Sequence, residues 1–159
     1  MTALRLSGAL AAALFIGLAW YLAPLEPGVL ALQFAFTPRA FASVVHAWPP
    51  EDLARYRAHL PFDFLLLAAY GSFGWLLATR TALFARGRFM MRRFAPWALP
   101  LAALFDAAEN GLHLWLTELP RFGMPAAYAL AGTASMLKWL LLLAFAASVA
   151  CALRNEAGG

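Results

Sequence analysis

Charge is what this sequence has least of. Only 13% of its 159 residues are Asp, Glu, Lys or Arg, against 64% that are apolar. That balance is too apolar for an ordinary soluble domain and lies at the opposite extreme from a disordered chain. Cysteine occurs once, as Cys151, which excludes an internal disulfide. Lysine also occurs once, as Lys138. Glycine-rich phosphate loops are absent, and no strand-turn-helix elbow or Cys-His pairing accompanies Ser72, Thr133 or Ser135, so neither nucleotide binding nor triad-type hydrolysis has support. Internal repeats and low-complexity tracts are missing as well, and only Ala157-Gly158-Gly159 reads as a disordered tail.

What the sequence does contain is long apolar runs. Crossing ~30 Å of hydrocarbon takes about 20 helical residues. Four segments have that length, at about 4 to 23, 61 to 79, 96 to 117 and 126 to 152, with Pro24, Pro27, Pro61, Pro96, Pro120 and Pro125 near their ends. The expected fold is therefore all-α, a four-helix integral membrane bundle forming one transmembrane domain over 1–159. Arg5 ahead of the first run resembles the start of a secretory signal, but the run is longer than a signal's apolar region and reads as a span.

The net charge of +4 is explained by placement. Five of the twelve basic residues, Arg80, Arg86, Arg88, Arg92 and Arg93, fall between the second and third spans. By the positive-inside rule that loop is cytoplasmic, which puts both termini in the cytoplasm of a cell whose inner membrane holds the chain, and residues 24–60 outside. No nucleic-acid partner is needed to account for the basic excess. Trp20, Tyr21, Trp97, Trp115 and Tyr128 lie near span ends, where amphipathic rings meet headgroups.

The long outer loop, 24–60, carries two helix starts: Thr37 with Pro38, then Pro49-Pro50-Glu51-Asp52. These predict short amphipathic helices along the membrane surface. Phe34, Phe36, Phe41, Val44, Val45 and Trp48 form their apolar face, and Arg39, Arg55 and Arg57 their polar one. The same composition suits a plain cap on the bundle or a gate over a site.

An ionisable side chain in hydrocarbon costs at least ~2.5 kcal/mol, so each one needs a partner, a wet cavity or a role. The third span places Asp106, Glu109, Asn110 and His113 at relative positions 0, 3, 4 and 7, on one helical face. Lys138 is central in the fourth span, about 19 Å below its outer end at ~1.5 Å per residue, level with Asp106 at about 20 Å and Glu109 at about 15 Å. One ammonium beside two carboxylates leaves about one negative charge and favours a shared proton. Asp63 and Tyr70, seven apart on the second span, share a stripe continued by Gly74. The expected polar column runs from outside inward as Asp63, His113, Tyr70, Glu109 with Asn110, then Asp106 with Lys138, and it ends near the midplane. A pocket open to the outer side fits this pattern better than a complete channel.

Several readings remain open at this point. Polar groups can simply fix how helices pack. Glu109 and His113 at i, i+4 can reach one metal ion, but Lys138 would repel it, and His46 and His59 sit in the outer loop, away from a haem axial position. A Schiff base on Lys138 would make a retinal-type protein of four spans only. No metal or cofactor is expected. General acid-base chemistry on an apolar substrate entering from lipid uses all the groups present: isomerisation, hydration or cyclisation, with Asp106, Glu109, Lys138 and His113 as catalytic candidates and Asn110, Asp63, Tyr70 and Ser135 as substrate-binding ones. The same equipment suits a proton-coupled carrier or a lipid-binding chaperone. Expected partners are membrane lipid or a lipophilic small molecule, and a homodimer or a role as non-catalytic subunit of a larger membrane complex stays open.

The stretches Phe62-Asp63-Phe64-Leu65 through Tyr70-Gly71, Leu104-Phe105-Asp106 through Glu109-Asn110, and Leu137-Lys138-Trp139 resemble small bacterial four-span membrane proteins of unknown function. The order of elements, one span, a long outer helical loop, then three spans with acids in the core, is similar to that of the sterol isomerase and sigma-2 receptor group. That architectural likeness implies a lipophilic ligand.

Overall fold

Six α-helices, with no strand among the described residues, make up the computed structural model, which describes residues 1–85, 89–119 and 121–157: α1 (Thr2–Leu22), α2 (Val29–Gln33), α3 (Pro38–Ala47), α4 (Pro50–Arg80), α5 (Phe89–Leu116) and α6 (Pro125–Ala157). Of the basic cluster, Arg86 and Arg88 lie outside the described residues, as do Pro120 and the terminal Gly158 and Gly159. Ala157 closes α6 rather than opening a tail.

α1, α4 and α6 are each long and apolar enough to cross a membrane. α5, at 28 residues, is longer than α1 at 21 but carries Asp106, Glu109, Asn110 and His113, all buried. The long helices pack in chain order, α1 on α4, α4 on α5 and α5 on α6. α2 and α3 leave the end of α1 and lie against α6. Large apolar side chains face outward along α1 (Leu6, Leu10, Phe15, Ile16) and α6 (Leu130, Leu140, Leu143), a surface that water would not tolerate on a monomer.

Two expected boundaries move. Pro61 and Pro96 sit inside helices, not at their ends. Pro61 forfeits one backbone hydrogen bond at a cost of about 3 kcal/mol. Buried side chains on both sides of it, Tyr56, His59 and Leu60 before and Leu66 and Leu67 after, hold the two halves as one helix. The helix predicted to open at Pro50 therefore continues into the second span. Its start is well specified: Pro50 at the first turn adds no orphan N–H, and Glu51 and Asp52 complement the N-terminal dipole.

α3 begins as expected, with Thr37 Oγ1 accepting from the Ala40 backbone N at 3.2 Å and Pro38 in the first turn. Its apolar face is turned toward protein. Phe41, Val44 and Trp48 are buried against the bundle, while Phe34 and Phe36 stay partly exposed. Trp48 Nε1 donates to the Pro27 carbonyl at 2.8 Å, closing the segment on itself.

The α4–α5 contact depends on glycine. A Cβ built on Gly74 would stand 2.5 Å from Leu99 Cβ, whereas one on Gly111 meets nothing within 4 Å. Gly74→Ala is expected to destabilise by about 1–3 kcal/mol, because the helices must part. Gly111→Ala is expected to stabilise by up to about 1 kcal/mol through helix propensity alone. Thermal unfolding in detergent distinguishes the two signs.

Candidate functional site

The centre of the molecule is an ammonium held between two carboxylates. Lys138 on α6 donates from Nζ to Asp106 Oδ1 of α5 at 2.9 Å, and the same nitrogen lies 2.6 Å from Glu109 Oε2, an ion-pair contact outside hydrogen-bond angles. All three are buried, Lys138 at 4% exposure and Glu109 at 1%. One turn separates the two acids on α5, so both reach the single cation of the facing helix. Tyr70 of α4 donates to Asp106 Oδ2 at 3.2 Å, which gives both oxygens of that carboxylate a partner. With both acids ionised the trio carries one excess negative charge, and a proton held on either carboxyl neutralises it.

The next turn of α5 brings His113, 1% exposed. Its Nδ1 is 2.6 Å from the Tyr56 hydroxyl of α4 and 3.9 Å from Glu109 Oε1. Which partner carries the proton between His113 and Tyr56 depends on the tautomer. His113 Nε2 is buried and has no hydrogen-bond partner among the described residues. An orphaned buried polar atom costs about 1–3 kcal/mol, so it marks a place where a ligand atom would be stabilising.

Of the residues predicted from sequence, Asp106, Glu109, His113 and Lys138 come together. Asn110 and Asp63 pair with each other, Asn110 Nδ2 donating to Asp63 Oδ2 at 2.6 Å, and stand beside the centre. Ser135, fully buried one turn from Lys138, donates to the Ala131 carbonyl of its own helix at 3.1 Å. The expected order of the column changes. Tyr70 meets Asp106 rather than lying outward of Glu109, and Asp63 meets Asn110 rather than standing above His113. The reason is register: α4 runs through Pro61, so its residues meet α5 further along than a span beginning at 61 would allow.

Sequence reasoning missed Tyr56 and His59 by assigning them to the outer loop. Both are buried on α4, their rings 4.8 Å apart, and His59 Nδ1 bonds the Tyr56 carbonyl. The signal was available: Tyr56, Asp63 and Tyr70 recur every seven residues, one stripe of a helix that ignores Pro61.

Aromatic side chains close the site. The Phe41 ring of α3 stands 5.4 Å from His113 and 5.2 Å from Tyr128, and Trp48 covers Tyr56 at 5.1 Å. At the other end Phe84, Leu99 and Phe145 form an apolar cluster. The cluster of charges is therefore covered rather than open to one side. Two surface grooves, of about 520 and 390 Å³, lie elsewhere: one between α4 and α5 lined by Gly71, Ser72, Trp75, Pro100 and Ala103 among others, the second beside Met1, Leu4, Leu76 and Arg80. Among the described residues no three His, Cys, Asp or Glu side chains are placed to hold a metal ion. Comparison with protein-family models, with curated proteins and with solved structures gives no match.

Proposed function

We propose that this chain is a multi-pass inner-membrane protein whose buried site binds a lipophilic small molecule. In this reading α1, α4, α5 and α6 all cross the bilayer, with both termini cytoplasmic. α5 packs between α4 and α6, both long and apolar enough to cross, and at ~1.5 Å per residue its 28 residues are longer than the hydrocarbon core is thick. Its acids, which lower its apolar character, are the ones that meet Lys138.

The observation that carries the reading is His113 Nε2, unpartnered beside a paired ammonium and two carboxylates. Helix packing needs far less: interhelical hydrogen bonds in membranes contribute only about 0.6–2 kcal/mol each, too little to account for five ionisable groups in one place. Acid, base and cation within contact of one another equip the site to move protons on its ligand, as isomerisation, hydration or cyclisation of an apolar substrate requires. Comparing parent and Lys138→Met by native mass spectrometry from lipid nanodiscs tests this. The parent is expected to carry a bound lipophile and the variant to lose it while remaining a dispersed, folded protein, since the acids then neutralise by taking up protons. Equal retention by both would remove Lys138 from the site.

A second reading, a non-catalytic subunit of a larger membrane complex, draws on the open groove between α4 and α5, whose small residues Ala68, Gly71, Ser72 and Ala103 allow close approach of another helix. Copurification of a second chain at fixed stoichiometry, lost on Ala68→Leu, is the result that would favour it.

A further inference from the structure

The segment carrying α2 and α3 is held to the rest of the molecule differently from the long helices. Its polar side-chain bonds are local: the Ala40 backbone N–H donates to Thr37 Oγ1, Ser43 Oγ donates to the Ala40 carbonyl, and across its two ends Trp48 Nε1 donates to the Pro27 carbonyl. One side-chain hydrogen bond among the described residues leaves it for α6, from Trp139 Nε1 to Gln33 Oε1 at 3.0 Å, at the residue next to Lys138. Two turns along the same helix, Phe36 sits on Gly132, so closely that a Cβ there would fall 2.8 Å from the ring. Everything else that seats the segment is apolar: Leu32, Ala35, Phe41 and Val44 are buried against the bundle.

We infer that residues 29–47 form a cover, latched to α6 by Gln33 on Trp139 and by Phe36 on Gly132, whose release is the route by which an apolar ligand reaches His113. Apolar contacts are non-directional, so a lipophile that slides between Phe41 and the His113 and Tyr128 rings replaces the contacts it displaces. A charged or strongly hydrated molecule has no such compensation. Prolines bound the segment, Pro27 before α2 and Pro49-Pro50 after α3, and the Trp48 bond to the Pro27 carbonyl ties its two ends together. The latch is specific and small: one hydrogen bond and one ring seated on a glycine.

This inference deepens the binding-site reading and rests on it for the ligand, but its test does not use a ligand, so the two fail separately. With the exposed Cys151 replaced by serine, Ser135→Cys places a thiol at a fully buried position one turn from Lys138. Its rate of labelling by N-ethylmaleimide in proteoliposomes reports how often the cover opens. Labelling of this background is expected to be slow. Adding Gln33→Ala, which removes the latch bond without opening the core, is expected to speed it about tenfold, the population change that accompanies loss of one hydrogen bond. Gly132→Leu, which unseats Phe36, is expected to act in the same direction and at least as strongly. Rates unchanged by Gln33→Ala would overturn the latch, whatever Gly132→Leu does to folding, and a background already labelled rapidly would overturn the cover itself.

Discussion

Replacing both acids, Asp106→Leu together with Glu109→Leu, is expected to cost about 3–5 kcal/mol, and adding Lys138→Met is expected to restore that loss. The double variant leaves an ammonium alone in the core, where its two contacts at 2.9 and 2.6 Å are gone. The triple variant leaves no charge there, and an apolar replacement of a whole buried ion pair is commonly neutral or stabilising by about 1–4 kcal/mol. Thermal unfolding in detergent reads the order: parent and triple together, double well below. A double variant as stable as the parent would mean the lysine finds another partner. The rescued triple variant also separates the two roles of the cluster, because it is expected to fold while failing to retain a lipophile.

Phe41→Ala has the second large expected effect, a loss of about 3–5 kcal/mol, the range for emptying a fully packed aromatic site. Its side chain is 2% exposed and its ring meets His113 at a tilt and Tyr128 edge-on. Phe34, on the same segment but 44% exposed, is the internal control: Phe34→Ala is expected to stay within about 0.5 kcal/mol of the parent. Unfolding midpoints of the two variants in one detergent measure the contrast. Similar small effects for both would mean that α3 rests on the bundle without being packed into it.

The central pairing was legible in the sequence because few alternatives existed. A chain with one lysine, and with two acids, Asp106 and Glu109, on the polar face of the neighbouring span, has few ways to satisfy that lysine in an apolar helix, and the depth count placed the groups level. Helix starts at Thr37-Pro38 and Pro50 were legible for the same kind of reason, since cap chemistry is local. What depended on register was not. A proline reads as punctuation when only local energetics is considered, yet α4 continues through Pro61 because packing on both sides outweighs one lost bond. That single boundary moved Tyr70 inward to Asp106, paired Asp63 with Asn110, and brought Tyr56 and His59 from a supposed loop into the core. The seat of α3 was equally hidden: amphipathic composition says which face is apolar but not whether lipid or protein covers it. Gly132 and Gln33, ordinary in sequence, gain meaning only once Phe36 and Trp139 are seen against them.

Because Lys138 is the only lysine, labelling that amino acid with ¹⁵N gives one side-chain amine signal in the whole protein. Solid-state NMR dipolar recoupling between that nitrogen and ¹³C-labelled Asp and Glu carboxyl carbons, recorded in lipid bilayers, measures the pairing without any mutation. Strong dephasing by both an aspartate and a glutamate carbon is expected, as for an amine 2.9 Å from Asp106 Oδ1 and 2.6 Å from Glu109 Oε2. An amine signal untouched by any carboxyl carbon, with transfer from lipid acyl chains instead, would contradict the buried centre on which the proposed function stands.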